Sequence, residues 1–431
     1  MPARTQRRHR QGIESRQRIL EAALSIAVER GYDGTTMALV TERAELPASS
    51  VYWQFKNKDD LLAEALDHSY RRWRTEGPTW QSGSYTGTPR ERIRARLGYS
   101  LDSVEQELEY WRLGLTLAML QRPGGIAAQD RFIAVRGETR RIVRDWWAGL
   151  DLEAAAADPA LIDSLASLYL AFVDGMFVAY RADHSIPIDA VHGVVSEAMA
   201  DLREARAAAG PQPARRSPRK RAQPVRMVEE SRAKLLDAAA QVAAEQGYRG
   251  TTIKRVCSRA GLPVSSLYWF FDDKDHLLAE VVGHSWDEWQ AGQPSWVPPD
   301  DPSTWPLQLR RILDGAVRSL VDAPSFLRIG IMLTLEGDDV AARDRFLEIR
   351  RGILARIREW FEAVLPAAAL ASEPALPALL AQTVVAFTDG YFLGVQIDGR
   401  EPSVAVFVDL VVDLITAAAD RAAGNATSTR G

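Results

Sequence analysis

The sequence predicts an all-α protein in which one helical unit is used twice in tandem. Apolar residues recur at three- and four-residue spacing along most of the 431 positions, and no convincing alternating strand pattern interrupts them. The string Leu46-Pro47-Ala48-Ser49-Ser50-Val51-Tyr52-Trp53-Gln54-Phe55-Lys56-Asn57-Lys58 returns nearly unchanged as Leu262-Pro263-Val264-Ser265-Ser266-Leu267-Tyr268-Trp269-Phe270-Phe271-Asp272-Asp273-Lys274. The repeat also covers whole halves. Ser15 pairs with Ser231, Gly31 with Gly247 and Arg112-Leu113-Gly114 with Arg328-Ile329-Gly330 at a constant offset of 216, and Phe172-Val173-Asp174-Gly175 returns as Phe387-Thr388-Asp389-Gly390. A period this long means tandem domains, because solenoid units run to about 20–50 residues.

Composition fits that expectation. Hydrophobic residues make up 46% and charged residues 26%, enough apolar material for several cores. Cys257 is the single cysteine, which excludes a disulfide framework or a multi-cysteine metal site within one chain and suggests a reducing, cytoplasmic setting. The basic opening leads into no apolar leader, and no run reaches the roughly 20 residues needed to span a bilayer, so neither secretion nor membrane insertion is expected. The net charge of −4 is unevenly spread: residues 1–18 hold six arginines against Glu14, and residues 211–227 hold six basic side chains and no acid. Local charge of this kind matters more to a polyanion than the total does.

Residues 1–12 have no hydrophobic period and read as a basic arm, either solubilising or tracking a phosphate backbone. The next segment, 13–75, opens with a helix over Ser15–Arg30, whose Ile19, Leu20, Ala23, Leu24, Ile26 and Ala27 share one face; Gly31 ends it. Thr35 or Thr36 caps a second helix to about Ala44. Pro47 opens a third at its first helical position, and a fourth starts near Asp59. Two short helices joined by a tight turn form a helix-turn-helix. Its second helix presents small polar side chains, then adjacent aromatics, then lysine, a pattern suited to a DNA major groove.

Arg18-Ile19-Leu20-Glu21-Ala22-Ala23, Gly31-Tyr32, Thr35-Thr36, Ser49-Ser50-Val51-Tyr52-Trp53-Gln54-Phe55 and Lys58 followed by Leu61-Leu62 together resemble the tetracycline-repressor (TetR) family of bacterial regulators. Glu45 departs from the family, which has glycine in that turn, and Pro47 stands where a capping serine is common. The resemblance implies two TetR-like units, each with a helix-turn-helix domain and a helical bundle that holds a ligand and supplies a dimer interface. Here the two bundles would pair as an intramolecular pseudo-dimer. It also implies that Tyr52, Tyr268, Thr36, Thr252, Lys58 and Lys274 contact phosphate.

A Gly-, Ser- and Pro-rich connector over residues 73–88 leads into the first regulatory domain, 76–207, with helices near 90–109, 110–120, 126–149, 158–182 and 187–208. By resemblance the last two, Asp158–Arg181 and Ile188–Ala207, form the interface. Residues 208–227 read as a basic, Pro-rich linker. Domains at 228–291 and 292–424 repeat the order, and 425–431 is a tail.

Ala48, Ser49, Ser50 and Trp53, with Val264, Ser265, Ser266 and Trp269, are the candidates to face base edges, while Phe55 and Phe271 are core. Flanking charges differ between the copies. Lys56 and Lys58 follow the first recognition helix; Asp272, Asp273 and Lys274 follow the second, which has Lys254, Arg255 and Arg259 in the helix before it. Unequal half-sites in a double-stranded DNA operator are therefore expected. Tyr110, Trp111, Trp146, Phe172 and Phe177 are candidate lining for a small-molecule effector, although core packing accounts for most such aromatics. Asp174 and Asp389 fit a hydrogen-bonded structural role better than a metal site. No cofactor or metal is expected. Six histidines, with no Ser-His-Asp set, glycine-rich phosphate loop or zinc spacing, give little support to an enzyme; a ligand-independent architectural DNA protein is the remaining alternative.

Overall fold

The computed structural model describes residues 2–76, 86–106, 108–122, 124–151, 158–209, 230–321, 324–337, 340–398 and 403–428. The described residues form helices and connections with no strand. The first half contains α1 (Pro2–Gly34), α2 (Met37–Ala44), α3 (Ala48–Gln54), α4 (Lys58–Glu76), α5 (Pro89–Glu105), α6 (Glu109–Met119), α7 (Ala127–Ala148), α8 (Pro159–Ala182) and α9 (Ile188–Ala209). The second half repeats them as α10 (Glu230–Gly250), α11 (Ile253–Ala260), α12 (Val264–Tyr268), α13 (Lys274–Ala291), α14 (Trp305–Val321), α15 (Ser325–Glu336) and α16 (Ala341–Val364). A short α17 (Ala367–Ser372) then leads to α18 (Leu376–Asp398) and α19 (Val404–Ser428). Most of the connector and, beyond Ala208 and Ala209, which end α9, the rest of the central linker expected from the sequence lie outside the described residues.

Two local details differ from the sequence expectation. Helix α1 begins at Pro2, so the basic arm is helical. Between Pro2 and Gly12 no helix breaker occurs, and arginine and glutamine are good helix formers, so the absence of an apolar face does not stop propagation from the packed part of α1. Proline stands at the N-cap of α3 and of α12, one position earlier than expected, with Pro47 at φ −59° and ψ 142°. Its carbonyl accepts from the Ser50 amide at 2.9 Å, which a cap residue can do without a donor of its own. The glycine stops hold: the chain leaves helical geometry at Gly31 (φ 70°) and Gly247 (φ 71°).

Each small N-terminal domain closes over a core from α1 or its counterpart, including Ile19, Ala23, Val40, Val51 and Phe55 in the first copy. In the bundles, Gly114 and Gly330 are required for close approach, since a Cβ there would collide with the rings of Phe132 and Phe346.

The halves join along α8 and α18, with α9 and α19 beside them. The crossing is reciprocal. A Cβ on Gly175 would strike the Ala386 carbonyl, and one on Gly390 would strike the Ala171 carbonyl. Phe172 packs on Phe387 with ring centres 5.2 Å apart. Toward the small N-terminal domains, the Arg112 guanidinium donates to the Leu335 and Glu336 carbonyls at the end of α15, while Arg328 donates to the Met119 carbonyl at the end of α6 (2.7 Å). At the outer edge Arg421 and Arg90 share the Asp201 carboxylate, each at 2.6 Å.

Helices α8 and α18 are long and apolar enough to cross a membrane by composition, contrary to the sequence reading. Their apolar surface is taken up by the interface: 72% and 78% of the relevant windows are buried inside the protein. A helix at the centre of two packed bundles is apolar on every side for that reason.

Candidate nucleic-acid interface and bundle cavities

The two helix-turn-helix units present matching surfaces. Thr36 and Thr252 cap α2 and α11, accepting from the Leu39 and Arg255 amides at 3.3 Å. The turn that follows needs a left-handed residue. Gly261 supplies it in the second copy (φ 67°) and Glu45 in the first (φ 52°), the one non-glycine residue at positive φ among those described. In α3 and α12, Val51 and Leu267 point into the core, as do Phe55 and Phe271 just beyond them. Ala48, Ser49, Val264 and Ser265 lie exposed on the opposite side, with Ser50 and Ser266 half-buried. Tyr52 and Tyr268 are exposed, and Trp53 and Trp269 are 87% and 85% exposed. Neither indole is part of the core of its small domain.

Lys58 and Lys274 are less free than the sequence suggests. The Lys58 amine donates to the Tyr32 carbonyl at 3.0 Å and lies 4.1 Å from the centre of that ring; Lys274 does the same at Tyr248, at 3.3 and 3.8 Å. Burial lowers the Lys58 pKa from its ordinary value. Lys56, Lys254 and Arg255 are exposed, and Arg255 also donates to the Gly250 carbonyl at 2.5 Å. In the 216-residue register Lys254 and Arg255 stand opposite Ala38 and Leu39, and Lys56 opposite Asp272. Arg259 is not part of this difference. Its counterpart Arg43 is also present, and each pairs with an α1-type glutamate, Arg43 with Glu29 at 2.5 Å and Arg259 with Glu245 at 2.6 Å.

The bundle candidates lie in packed surroundings. Tyr110 and Trp111 border a void of about 40 Å³, whereas Trp146, Phe172 and Phe177 belong to the core. Asp174 is buried, accepts from the Trp111 indole at 3.0 Å and pairs with Arg136; Asp389 is buried and pairs with Arg350 at 2.5 Å. Burial raises both carboxyls, against the lowering pull of those arginines. A larger bundle cavity, about 340 Å³, lies in the second half among α13, α14, α15, α16 and α18, where the sequence reading named no residue. A signal for it existed. Once the halves are aligned, Leu327 and Val384 stand opposite Trp111 and Tyr169.

Residues 19–65 and 235–281 match the family model described as bacterial regulatory proteins, tetR family. The HTH-type transcriptional repressor KstR of Mycolicibacterium smegmatis is 35% identical over 85 residues, 20% of this chain and 41% of that protein. The HTH-type transcriptional regulator BetI of Burkholderia mallei is 29% identical over 161 residues, 35% of this chain and 78% of BetI. Against KstR proteins from three actinobacteria, the chain spans only 30–41% of the relatives' own length. Among solved structures, the fatty acid degradation regulator FadR from Bacillus halodurans aligns with a TM-score of 0.34 at 17% identity, over 44% of this chain and 96% of FadR.

Proposed function

This chain belongs to the TetR family and carries its DNA-binding unit twice, and from that premise we propose that one polypeptide reads both halves of an operator and acts as an effector-released repressor in the bacterial cytoplasm. It is a helix-turn-helix transcription regulator and not an enzyme. The observation that carries the finer reading is the pair of projecting indoles, Trp53 and Trp269, on two recognition helices joined through one pseudo-symmetric interface. Ala48, Ser49, Ser50 and Trp53, with Val264, Ser265, Ser266 and Trp269, face base edges. Thr36, Tyr52, Lys56, Thr252, Lys254, Arg255 and Tyr268 meet the backbone, and Lys58 and Lys274 reach phosphate by giving up their tyrosine carbonyls.

Because Lys56 is replaced by Asp272 and Ala38 by Lys254, the operator has two unequal half-sites, about 34 Å apart or a multiple of that. Selection from randomised duplexes, followed by footprinting and sizing of the complex, tests this. One chain per operator with two unequal protected half-sites is expected. Two chains on a minimal operator, or equal half-sites in a perfect palindrome, would refute it. Ligand in the bundle would lower affinity only through its preference for the state that does not fit the groove.

A further inference from the structure

We infer that effector binding is confined to the second half of the chain, at one site that takes an apolar, ring-bearing organic monoanion, and that the equivalent site in the first half is plugged by its own side chains. This rests on the regulatory reading above and specifies its ligand and stoichiometry.

The halves align at an offset of 216 through α5/α14 and α6/α15, 214 through α7/α16 and 215 through α8/α18, anchored by Arg112/Arg328, Phe132/Phe346 and Asp174/Asp389. Both bundles thus keep the same buried floor, an arginine on α7 or α16 paired with an aspartate on α8 or α18. The walls above that floor differ. Ile312, Ala316, Leu327 and Val384 line the cavity of about 340 Å³. Their counterparts are Arg96, Ser100, Trp111 and Tyr169. Tyr169 is buried and its hydroxyl meets Ser100 Oγ at 2.6 Å; Trp111 stacks on Phe177 at 4.6 Å and donates its indole N–H to Asp174. Two large rings, each hydrogen-bonded in place, reduce the first cavity to about 40 Å³, too small for an effector.

The open site also has an unmet polar requirement. Leu327 cannot make the indole hydrogen bond that Trp111 makes. The Arg350 side chain is 7% exposed, and while Nη1 is bound to Asp389, its buried Nη2 has no partner among the described residues. A buried guanidinium donor with no acceptor is costly, and an oxygen from a ligand would satisfy it. Arg350, Arg356 and Asp389 are the charged residues of the lining, which leaves it one positive charge in excess. Trp286, Trp289, Trp296 and Phe326 supply flat apolar walls, with Trp286 and Trp289 within 5.4 Å of Phe326. One acceptor at Arg350 and rings along these walls define the ligand class.

The probe pair is 1-anilinonaphthalene-8-sulfonate and its neutral analogue N-phenyl-1-naphthylamine, titrated without DNA by fluorescence and calorimetry. The sulfonate should bind saturably at one equivalent per chain and about tenfold more tightly than the neutral analogue, the worth of one hydrogen bond to a charged group. Arg350→Met should remove that preference. Val384→Tyr and Leu327→Trp, which copy the plug, should each abolish binding, with near-ultraviolet circular dichroism checking that they fold. Two equivalents per chain, no saturable binding, binding that survives both plugging variants, or no preference for the sulfonate would each overturn the inference. A chain that bound no operator would sink the regulatory reading while leaving this titration as informative as before.

Discussion

Glu45 is held at φ 52° and ψ 44°, where a side chain costs roughly 1–2 kcal/mol. Its ion pair with Arg18 is exposed and 3.5 Å long, too weak to offset that. Glu45→Gly should therefore stabilise the first helix-turn-helix by about 0.5–1 kcal/mol, net of glycine's greater freedom in the unfolded chain. Gly261→Glu should cost about 1 kcal/mol through the backbone alone, since a Cβ at Gly261 meets nothing within 4 Å. Amide hydrogen exchange across α2–α3 and α11–α12 reads both effects, and protection unchanged in both variants would reject the argument. A second contrast separates surface from core within one helix and its exit. Trp53→Ala should change stability by less than about 0.5 kcal/mol and yet weaken operator binding by about 1–3 kcal/mol. Phe55→Ala should cost about 3–5 kcal/mol of stability. Thermal unfolding beside a binding isotherm distinguishes them.

At the scale of elements, helix boundaries were readable wherever a glycine, a capping threonine or a proline marked them, and α5 to α9 fall within a few residues of the periodicity. The extension of α1 to Pro2 was not readable, because it depends on propensity carried outward from a packed core and leaves no hydrophobic pattern. Nor was the open cavity. Aromatic residues in the first half looked like lining, but a cavity is made by small residues, and Val384 and Ala316 carry no signal until set against Tyr169 and Ser100. In the Asp174-Gly175 and Asp389-Gly390 pairs the aspartates stand out in the sequence, whereas the glycines decide the geometry. At Gly175 and Gly390 each helix backbone rests on a carbonyl of the other, and a backbone atom cannot rotate away as a side chain can. Gly175→Ala should force α8 and α18 apart and destabilise the protein by at least about 1–3 kcal/mol. Gly137→Ala, on α7 with open space at its Cβ, should be neutral or slightly stabilising. Equal melting temperatures for the two variants would contradict the close-crossing interpretation.

At the scale of the whole molecule, the link between the halves includes a titrating carboxylate, Asp201, at its outer edge. Burial alone would raise the Asp201 carboxyl, but hydrogen bonds from Arg421 of the other half and Arg90 of its own outweigh it and hold the group below its ordinary value. A carboxylate with a depressed folded-state pKa contributes stability that is fully present above the unfolded value, about 3.9, and is lost as pH falls through the folded value. The junction should therefore weaken in acid, from about pH 4 downward. Asp201→Asn keeps the shape and removes the titration. It should be less stable than the parent at pH 7 by about 1–2 kcal/mol, the scale of hydrogen bonds to a charged group, with the difference closing as the pH is lowered. Urea unfolding between pH 7 and pH 3, followed by tryptophan fluorescence, measures the gap. Because both halves belong to one chain, the midpoint should not depend on protein concentration, unlike that of two separate subunits joined by the same contacts. A gap that stayed constant to pH 3 would place the acid sensitivity elsewhere, and a concentration-dependent midpoint would mean that the folded unit needs a second chain.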